Sequence, residues 1–173
     1  MSALFSFPNP VNDVAARTVA AGELIMSATA AVTGQLWITI PLAYGFLARV
    51  ATGPRLSPLG RIATMLIAPR LPRAEKLVPG PPKRFAQAIG AGFALTALTL
   101  WLSGEPTISR FLLGLLCVPA LAESGFGYCV GCKIFSILMR LGVIPDEVCL
   151  ECADIYSAEA VAHRTGRSIS GAS

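Results

Sequence analysis

Residues 85–102, with the sequence FAQAIGAGFALTALTLWL, decide the fold class because this stretch is apolar and contains no charged side chain. A helix that crosses a lipid bilayer needs about 20 consecutive apolar residues, with a range of about 17–25. The stretch falls within that range. It therefore predicts a membrane-spanning helix.

Three further stretches have the same apolar character and extend the prediction to four helices. They are residues 14–33, 36–50 and 108–126. The second of them is short, but Trp37 and Tyr44 would anchor it at the membrane interface. Short links at residues 33–35 and 103–106 divide the four stretches into two helical hairpins. The predicted fold is all-α, a four-transmembrane-helix bundle.

The composition is far from that of a soluble domain. Hydrophobic residues make up 54% of the 173 residues and charged residues 14%, and the mean hydropathy is +0.64. Typical soluble domains contain roughly 25% charged residues. These values exclude a disordered protein and argue against an ordinary soluble enzyme.

Basic residues are concentrated between the second and third apolar stretches. Residues 49–84 contain eight Lys or Arg residues against one acid, Glu75, whereas the two short links have only Arg110 nearby. The positive-inside rule places residues 49–84 in the cytoplasm, and with four spans both termini follow. We therefore expect a multi-pass protein of the cell membrane. The basic residues would face anionic lipid head groups, so no nucleic-acid partner is expected.

Two amphipathic segments are predicted outside the four spans. Ser57 and Pro58 are typical of a helix start, and Leu59 and Ile62 follow at helical spacing. This pattern predicts a short interfacial helix in the central cytoplasmic loop. Residues 133–141 form a second candidate after the fourth span, at the start of a short helical C-terminal region. The predicted division is a transmembrane domain at 1–142 and a cytoplasmic tail at 143–173.

The cysteines form the clearest chemical pattern in the chain. Four of the five make two C-x-x-C pairs, Cys129 with Cys132 and Cys149 with Cys152, separated by 16 residues. The fifth, Cys117, lies within the fourth apolar stretch and is interpreted as a small buried hydrophobe. Both pairs are predicted to lie in the cytoplasm, where thiols are kept reduced. Stable structural disulfides are therefore not expected.

Two roles compete for these pairs, besides the alternative that they share no function. The spacing C-x2-C-x16-C-x2-C is typical of zinc sites, so the four thiolates could hold a structural zinc. Zinc is the only cofactor that the sequence raises. Alternatively, Cys129 and Cys132 form a working dithiol, with Cys149 and Cys152 as a resolving or second pair.

The dithiol hypothesis makes local structural predictions. Gly125 and Gly127 should end the fourth helix, so that the next helix begins near Cys129. The dipole of that helix would lower the thiol pKa and favour the thiolate, and Lys133 would act in the same direction. Cys129 is then expected to be the more exposed and more reactive thiol.

Ionisable residues within the apolar stretches are costly in a bilayer and need partners. Glu123 and Arg17 are predicted at similar depths near the cytoplasmic side, so we expect them to pair between the first and fourth helices. Glu23 falls near the middle of its stretch, where the sequence shows no basic partner. It is interpreted either as a neutral, hydrogen-bonded acid or as a step in a proton path.

Four local segments together resemble a known family. They are residues 7–12 (FPNPVN), 53–61 (GPRLSPLGR), 81–87 (PPKRFAQ) and 123–132 (ESGFGYCVGC). The chain is similar over residues 7–142 to an uncharacterised family of bacterial four-helix membrane proteins, common in actinobacteria and known only as a domain of unknown function. The resemblance implies an integral membrane protein with a cysteine pair after the last span. It favours thiol or sulfur chemistry with a thioredoxin-like or sulfurtransferase partner.

The functional expectation is a membrane thiol protein with Cys129 and Cys132 as the working pair and Glu123 as a nearby acid. It leaves open whether the protein is an enzyme, and it does not give the oligomeric state. Two alternatives belong to other classes. One is a non-enzymatic membrane subunit or scaffold with a zinc site of Cys129, Cys132, Cys149 and Cys152. The other is a small transporter of soft metal ions or sulfur species, since thiolates select soft ions.

Overall fold

A computed structural model describes residues 9–70 and 77–145 of the chain. The described residues are mostly helical, which confirms the all-α class. The helices are α1 (Asp13–Thr33), α2 (Thr39–Thr52), α3 (Pro58–Ile62), α4 (Gly80–Leu102), α5 (Pro106–Phe126) and α6 (Val130–Arg140). Two short strands, β1 (Val11–Asn12) and β2 (Leu77–Val78), pair antiparallel.

The helix ends follow the local chemistry of the sequence. The Asn12 Oδ1 atom accepts a hydrogen bond from the Ala15 amide at 3.2 Å and caps α1. Ser57 caps α3 in the same way, accepting from the Gly60 amide at 3.2 Å. Gly34 ends α1 with a φ of 73°, a left-handed conformation that glycine adopts without a steric penalty. The helix start predicted at Ser57 is therefore confirmed.

The four long helices pack as a bundle in which α1 lies mainly against α5 and α2 against α4. Small residues on α1 and α4, such as Ala30 and Ala94, are fully buried and let the helix axes approach. Larger side chains, Leu42 and Phe46 on α2 and Leu113 on α5, fill the space between them. The core is thus built from alternating small and large side chains at facing positions.

The two short links lie at one end of the bundle, and the other connections lie at the opposite end. At the link end, the Arg110 guanidinium on α5 donates to the Ala31 carbonyl at 2.7 Å, next to the end of α1. At the opposite end, Arg17 on α1 donates to the Gly125 carbonyl at 2.8 Å. The β1–β2 pair brings the start of α1 beside the start of α4 at that same end.

The central segment differs from the regular helix that the sequence predicts. After α3, the chain continues as a π-helical turn (Ala63–Ile67) and a 3-10 turn (Ala68–Arg70). Pro69 has no amide hydrogen for an α-helical bond, which accounts for the change near the end of the segment. Leu59 packs over Gly22 of α1, while Met65 stays exposed. The segment is therefore amphipathic, as expected, but not one continuous helix.

Two helices, α4 and α5, are long and apolar enough to span a membrane, with mean hydropathies of 1.5 and 1.4. Only 22% of the residues in each apolar window are buried inside the bundle, so most residues of both windows are partly or fully exposed. The helix α1 is as long but contains Arg17 and Glu23, and α2 is shorter. The structure thus supports two of the four predicted spans by length and composition.

The contact between Gly90 and Phe46 gives a test of the packing. A Cβ atom added at Gly90 would lie 2.2 Å from the Phe46 ring, whereas one added at Gly92 meets nothing within 4 Å. We expect Gly90→Ala to reduce the free energy of unfolding by about 1–3 kcal/mol. Gly92→Ala, the matched control on the same helix, should be neutral or stabilising by up to about 1 kcal/mol. Thermal unfolding in detergent micelles measures both, and equal melting temperatures would contradict this packing.

Candidate functional site

The first cysteine pair lies at the start of α6, directly after the turn that ends α5. Gly127 closes α5 with a φ of 68°, and Cys129 follows as the N-cap residue of α6. The Cys129 Sγ atom accepts a hydrogen bond from the Cys132 amide at 3.3 Å. The predicted helix start near Cys129 is confirmed. The positive end of the α6 dipole therefore points at the Cys129 sulfur.

The exposure of the two thiols is the reverse of the expectation. Cys129 is buried, with 8% of its surface exposed, whereas Cys132 is only partly buried. The expectation that Cys129 is the more exposed thiol is therefore wrong. The reason is that the N-cap position turns the Cys129 side chain inward, toward α4 and α5, rather than outward along α6.

The two thiols have different acidities because their side chains interact with each other. The hydrogen bond from the Cys132 thiol lowers the pKa of Cys129 below its usual value, burial and the Glu123 carboxylate oppose this effect, and the Lys83 ammonium supports it. The same interaction between the side chains raises the pKa of Cys132, and burial adds to that increase. Cys129 is therefore the thiol that forms a thiolate first, while Cys132 keeps its proton.

The acid beside the thiols pairs with a different base from the one expected. Lys83, in the first turn of α4, forms an ion pair with Glu123 on α5, and both side chains are almost entirely buried. The predicted Arg17–Glu123 pair is therefore wrong. Arg17 instead donates to the Ser124 and Gly125 carbonyls. A guanidinium can bond several of the carbonyls that have no partner at a helix end, which makes Arg17 a cap for α5.

Glu23 has a basic partner that sequence analysis missed. Arg49, near the end of α2, forms a buried ion pair with the Glu23 carboxylate. The same guanidinium donates to Gln87 at 2.8 Å and to Ser57 at 2.9 Å, and it lies 5.0 Å from the Phe46 ring centroid. Arg49, on α2, thus links α1 and α4 to Ser57, the residue that caps α3.

The sequence contained a signal for these two pairs. Lys83 and Gln87 are four residues apart, which places them on one face of α4, and that face points into the bundle. In the sequence, Lys83 and Arg49 stand among the basic residues of the 49–84 loop, which the positive-inside rule places on the cytoplasmic side. A polar stripe at helical spacing inside the first turns of an apolar helix indicates buried partners instead.

A cavity of about 340 Å³ lies between α4, α5 and α6. Cys129 and Glu123 line it, together with Glu23, Gln87 and many apolar side chains. A second, smaller cavity of about 60 Å³ is lined by Arg49 and Lys83. Glu123 and Gln87 border both cavities, whereas Glu23 and Cys129 border only the large one.

The zinc hypothesis requires all four cysteines of the two pairs. Cys129 and Cys132 supply two ligands, and a structural zinc site needs four. Cys149 and Cys152 lie outside the described residues. Within residues 9–70 and 77–145, no group of three or more His, Cys, Asp or Glu side chains is arranged to hold a metal ion.

The Lys83–Glu123 pair should dominate the stability of this end of the bundle. We expect Lys83→Met to reduce the free energy of unfolding by about 3–5 kcal/mol, because it leaves a buried carboxylate without a partner. The double variant with Glu123→Leu should recover much of that loss. Glu105→Gln changes an exposed acid at the other end and serves as the control. Chemical unfolding of the parent, Lys83→Met, Glu123→Leu, the double variant and the control measures the coupling, and strictly additive losses would contradict the pair.

Comparisons with known proteins identify the family to which this sequence belongs. No curated protein and no solved structure matches the chain significantly. A family model, described as a domain of unknown function, matches residues 11–140. The match includes Cys129 and Cys132 and ends before Cys149, and it confirms the resemblance to an uncharacterised family. The chain belongs to the family of domains of unknown function DUF4395.

Proposed function

We propose that this chain is a four-span membrane protein whose termini and cysteine pair share the cytoplasmic face. The lengths and hydropathies of α4 and α5 support it, as do the apolar side chains that cover the outside of the bundle. The two short links lie at one end, while Arg49, Arg55 and Arg61 lie toward the other, as the positive-inside rule requires. Leu56, Ile62 and Met65 are exposed beside these bases, which suits a segment lying in the interface.

The proposed activity is thiol chemistry on the cytoplasmic face. The observation that carries it is the position of Cys129, at the N-cap of α6 and hydrogen-bonded by the Cys132 amide. Thiolates at helix N-termini are nucleophiles, and a C-x-x-C pair supplies the second thiol that resolves the product. Cys129 is the attacking residue in this proposal, and Cys132 is the resolving one.

The reaction with a thioredoxin-like partner is a thiol–disulfide exchange. The Cys129 thiolate attacks one sulfur of the partner's disulfide, forming a mixed disulfide and releasing the partner's other sulfur as a thiolate. Cys132 then loses its proton and attacks the Cys129 sulfur. That step forms the Cys129–Cys132 disulfide and releases the reduced partner. With a sulfurtransferase partner, the Cys129 thiolate would instead take the terminal sulfur of a persulfide, which releases the partner's thiolate.

Lys83 and Glu123 serve as positioning residues in this proposal. The Lys83 ammonium stabilises the Cys129 thiolate, and the Glu123 carboxylate holds that ammonium in place. The pair is fixed by two different helices, so its geometry does not depend on the loop that contains the thiols. This arrangement keeps a cation near the sulfur in a region where apolar side chains exclude water.

A second candidate function is a scaffold that holds structural zinc. The spacing of Cys129 and Cys132 with Cys149 and Cys152 favours it. Metal content distinguishes the two proposals. Zinc bound in a one-to-one ratio and lost on replacement of Cys149 would support the scaffold, while metal-free protein with reactive thiols supports the dithiol. The transporter alternative has the large cavity in its favour and would be tested by uptake into vesicles.

The topology is tested by labelling single cysteines in a variant without native cysteines. A charged, membrane-impermeant maleimide added to intact cells should label Ser103→Cys, in the link between α4 and α5. It should not label Arg61→Cys, in the central segment. Both positions are exposed on the bundle, so burial in the protein does not explain a difference. Labelling of Arg61→Cys from outside would overturn the proposed orientation.

The acidity of Cys129 is tested by the pH profile of its alkylation, with Cys117, Cys149 and Cys152 replaced by serine. A thiolate is present above the thiol pKa, so a lowered pKa moves the midpoint of the profile below the ordinary thiol value of about 8.5. Lys83→Met should move the midpoint upward by removing the stabilising cation. Lys133→Met is the matched control, because the Lys133 ammonium lies 5.8 Å from the Tyr128 ring centroid instead. An unchanged midpoint in Lys83→Met would contradict the positioning role.

A further inference from the structure

The large cavity has the size and chemistry of a small-molecule site. Its volume of about 340 Å³ lies at the lower end of the range of about 300–1,000 Å³ that is typical of such sites. Most of its lining is apolar, and the Phe46 and Phe93 rings are part of it. The polar groups converge at one end, where Cys129 and Glu123 lie. An apolar chamber with a few polar groups at one end fits a molecule with an apolar body and a small polar head.

The mouth of the cavity opens on the outside of the bundle. Three apolar lining residues are exposed there, Leu115 at 46%, Val118 at 62% and Ile134 at 40%. They belong to α5 and α6 and are continuous with the apolar outer surface. In the proposed membrane arrangement this surface faces lipid, so a ligand reaches the cavity from the bilayer rather than from water.

The charge of the polar end favours a neutral ligand. Glu23 and Glu123 line the large cavity, whereas their partners Arg49 and Lys83 line only the small one, which Glu123 also borders. Each ion pair is neutral as a whole, and only its carboxylate member borders the large cavity. A phosphate or sulfur anion would meet these carboxylates and is disfavoured.

The cavity also offers hydrogen-bonding groups for such a head. Pro119 lies inside α5 and has no amide hydrogen to donate to the Leu115 carbonyl, and both residues line the cavity. Gln87 adds a side-chain amide to the same lining. The Gln87 amide nitrogen can donate to a carbonyl oxygen of a ring compound, and the Leu115 carbonyl can accept from a ring hydroxyl.

We propose that the cavity binds the head group of a lipid-soluble quinone and that the Cys129–Cys132 dithiol reduces it to the quinol. The inference rests on the proposed thiol function and names its membrane substrate. A quinone is neutral, and its apolar tail can extend out of the cavity through the opening beside Val118. Its flat ring can lie against the Phe46 and Phe93 side chains. It accepts two electrons and two protons, the number that a dithiol releases when it forms a disulfide.

The chemistry balances without any further reactant. The Cys129 thiolate adds to a ring carbon, forming a carbon–sulfur bond and moving an electron pair to a quinone oxygen. Cys132 then attacks the Cys129 sulfur, which forms the disulfide and returns the carbon–sulfur bonding pair to the ring. The two protons of the two thiols end on the two oxygens of the quinol. A reduced thioredoxin-like partner would regenerate the dithiol, because the thiol–disulfide exchange described above then runs in the reverse direction and oxidises the partner.

The test uses the full chain, reduced and reconstituted in lipid nanodiscs under anaerobic conditions, with a short-tailed ubiquinone analogue as the probe. Quinone absorbance and the count of free thiols are followed together. We expect one quinone to be lost for each Cys129–Cys132 pair oxidised. Val118→Trp, which narrows the mouth, should slow the reaction about tenfold or more, a loss of about 1.4 kcal/mol in transition-state stabilisation.

Matched variants separate the cavity from the rest of the surface. Leu121→Trp changes a residue of α5 that is 54% exposed and does not line the cavity, so it should react at the parent rate. Ile134→Trp narrows the mouth from the α6 side and should repeat the effect of Val118→Trp. Equal rates in all three variants would overturn the proposal, because the reaction would then occur outside the cavity.

A small soluble disulfide, added in place of the quinone, distinguishes failure of the quinone proposal from failure of the proposed thiol function. If the thiols reduce the soluble disulfide but not the quinone, the quinone proposal is overturned and the thiol function stands. If Cys129 and Cys132 react with neither oxidant, the proposed thiol function itself is overturned. Quinone loss without loss of thiols would also contradict the proposal, since the electrons would have another source.

Discussion

The arrangement of the bundle depends on two buried ion pairs inside apolar surroundings. Glu23 with Arg49 joins α1 to α2, and Lys83 with Glu123 joins α4 to α5. An unpaired charge in such a place is very costly, whereas apolar side chains pack almost equally well in several registers. The pairs therefore select one relative position of the four helices. Gln87 connects the two pairs, because it accepts from Arg49 and shares a face of α4 with Lys83.

Local features of the fold were predictable from the sequence, and the pairings between helices were not. Helix lengths, the caps at Asn12 and Ser57 and the glycine that ends α5 depend on neighbouring residues alone. The partners of Glu23 and Glu123 depend on which helix packs on which. Long basic side chains also reach inward from helix ends, so a position that counts as a loop charge in sequence can place its charge deep in the bundle.

The candidate site likewise has a part that the sequence predicts and a part that depends on the packing between helices. The position of Cys129 at a helix start follows from the glycines before it, and the structure agrees. Its burial does not follow from the local sequence, because it depends on how closely α6 approaches α4. Phe85 and Phe135 hold the two helices together, with ring centroids 5.6 Å apart. Ala86 on α4 and Gly131 on α6 lie in close contact and line the large cavity, so this packing forms part of its wall.

The glycine between the cysteines limits how the motif can vary. A Cβ atom added at Gly131 would lie 2.5 Å from the Ala86 Cβ atom and 2.6 Å from its Cα atom, so no side chain fits there while α6 keeps its place. Val130, the other spacer residue, is only partly buried and lines the cavity. The geometry thus leaves one spacer position free to vary and to reshape the large cavity. The other spacer has no such freedom, so variation between the two cysteines would have to occur at the first.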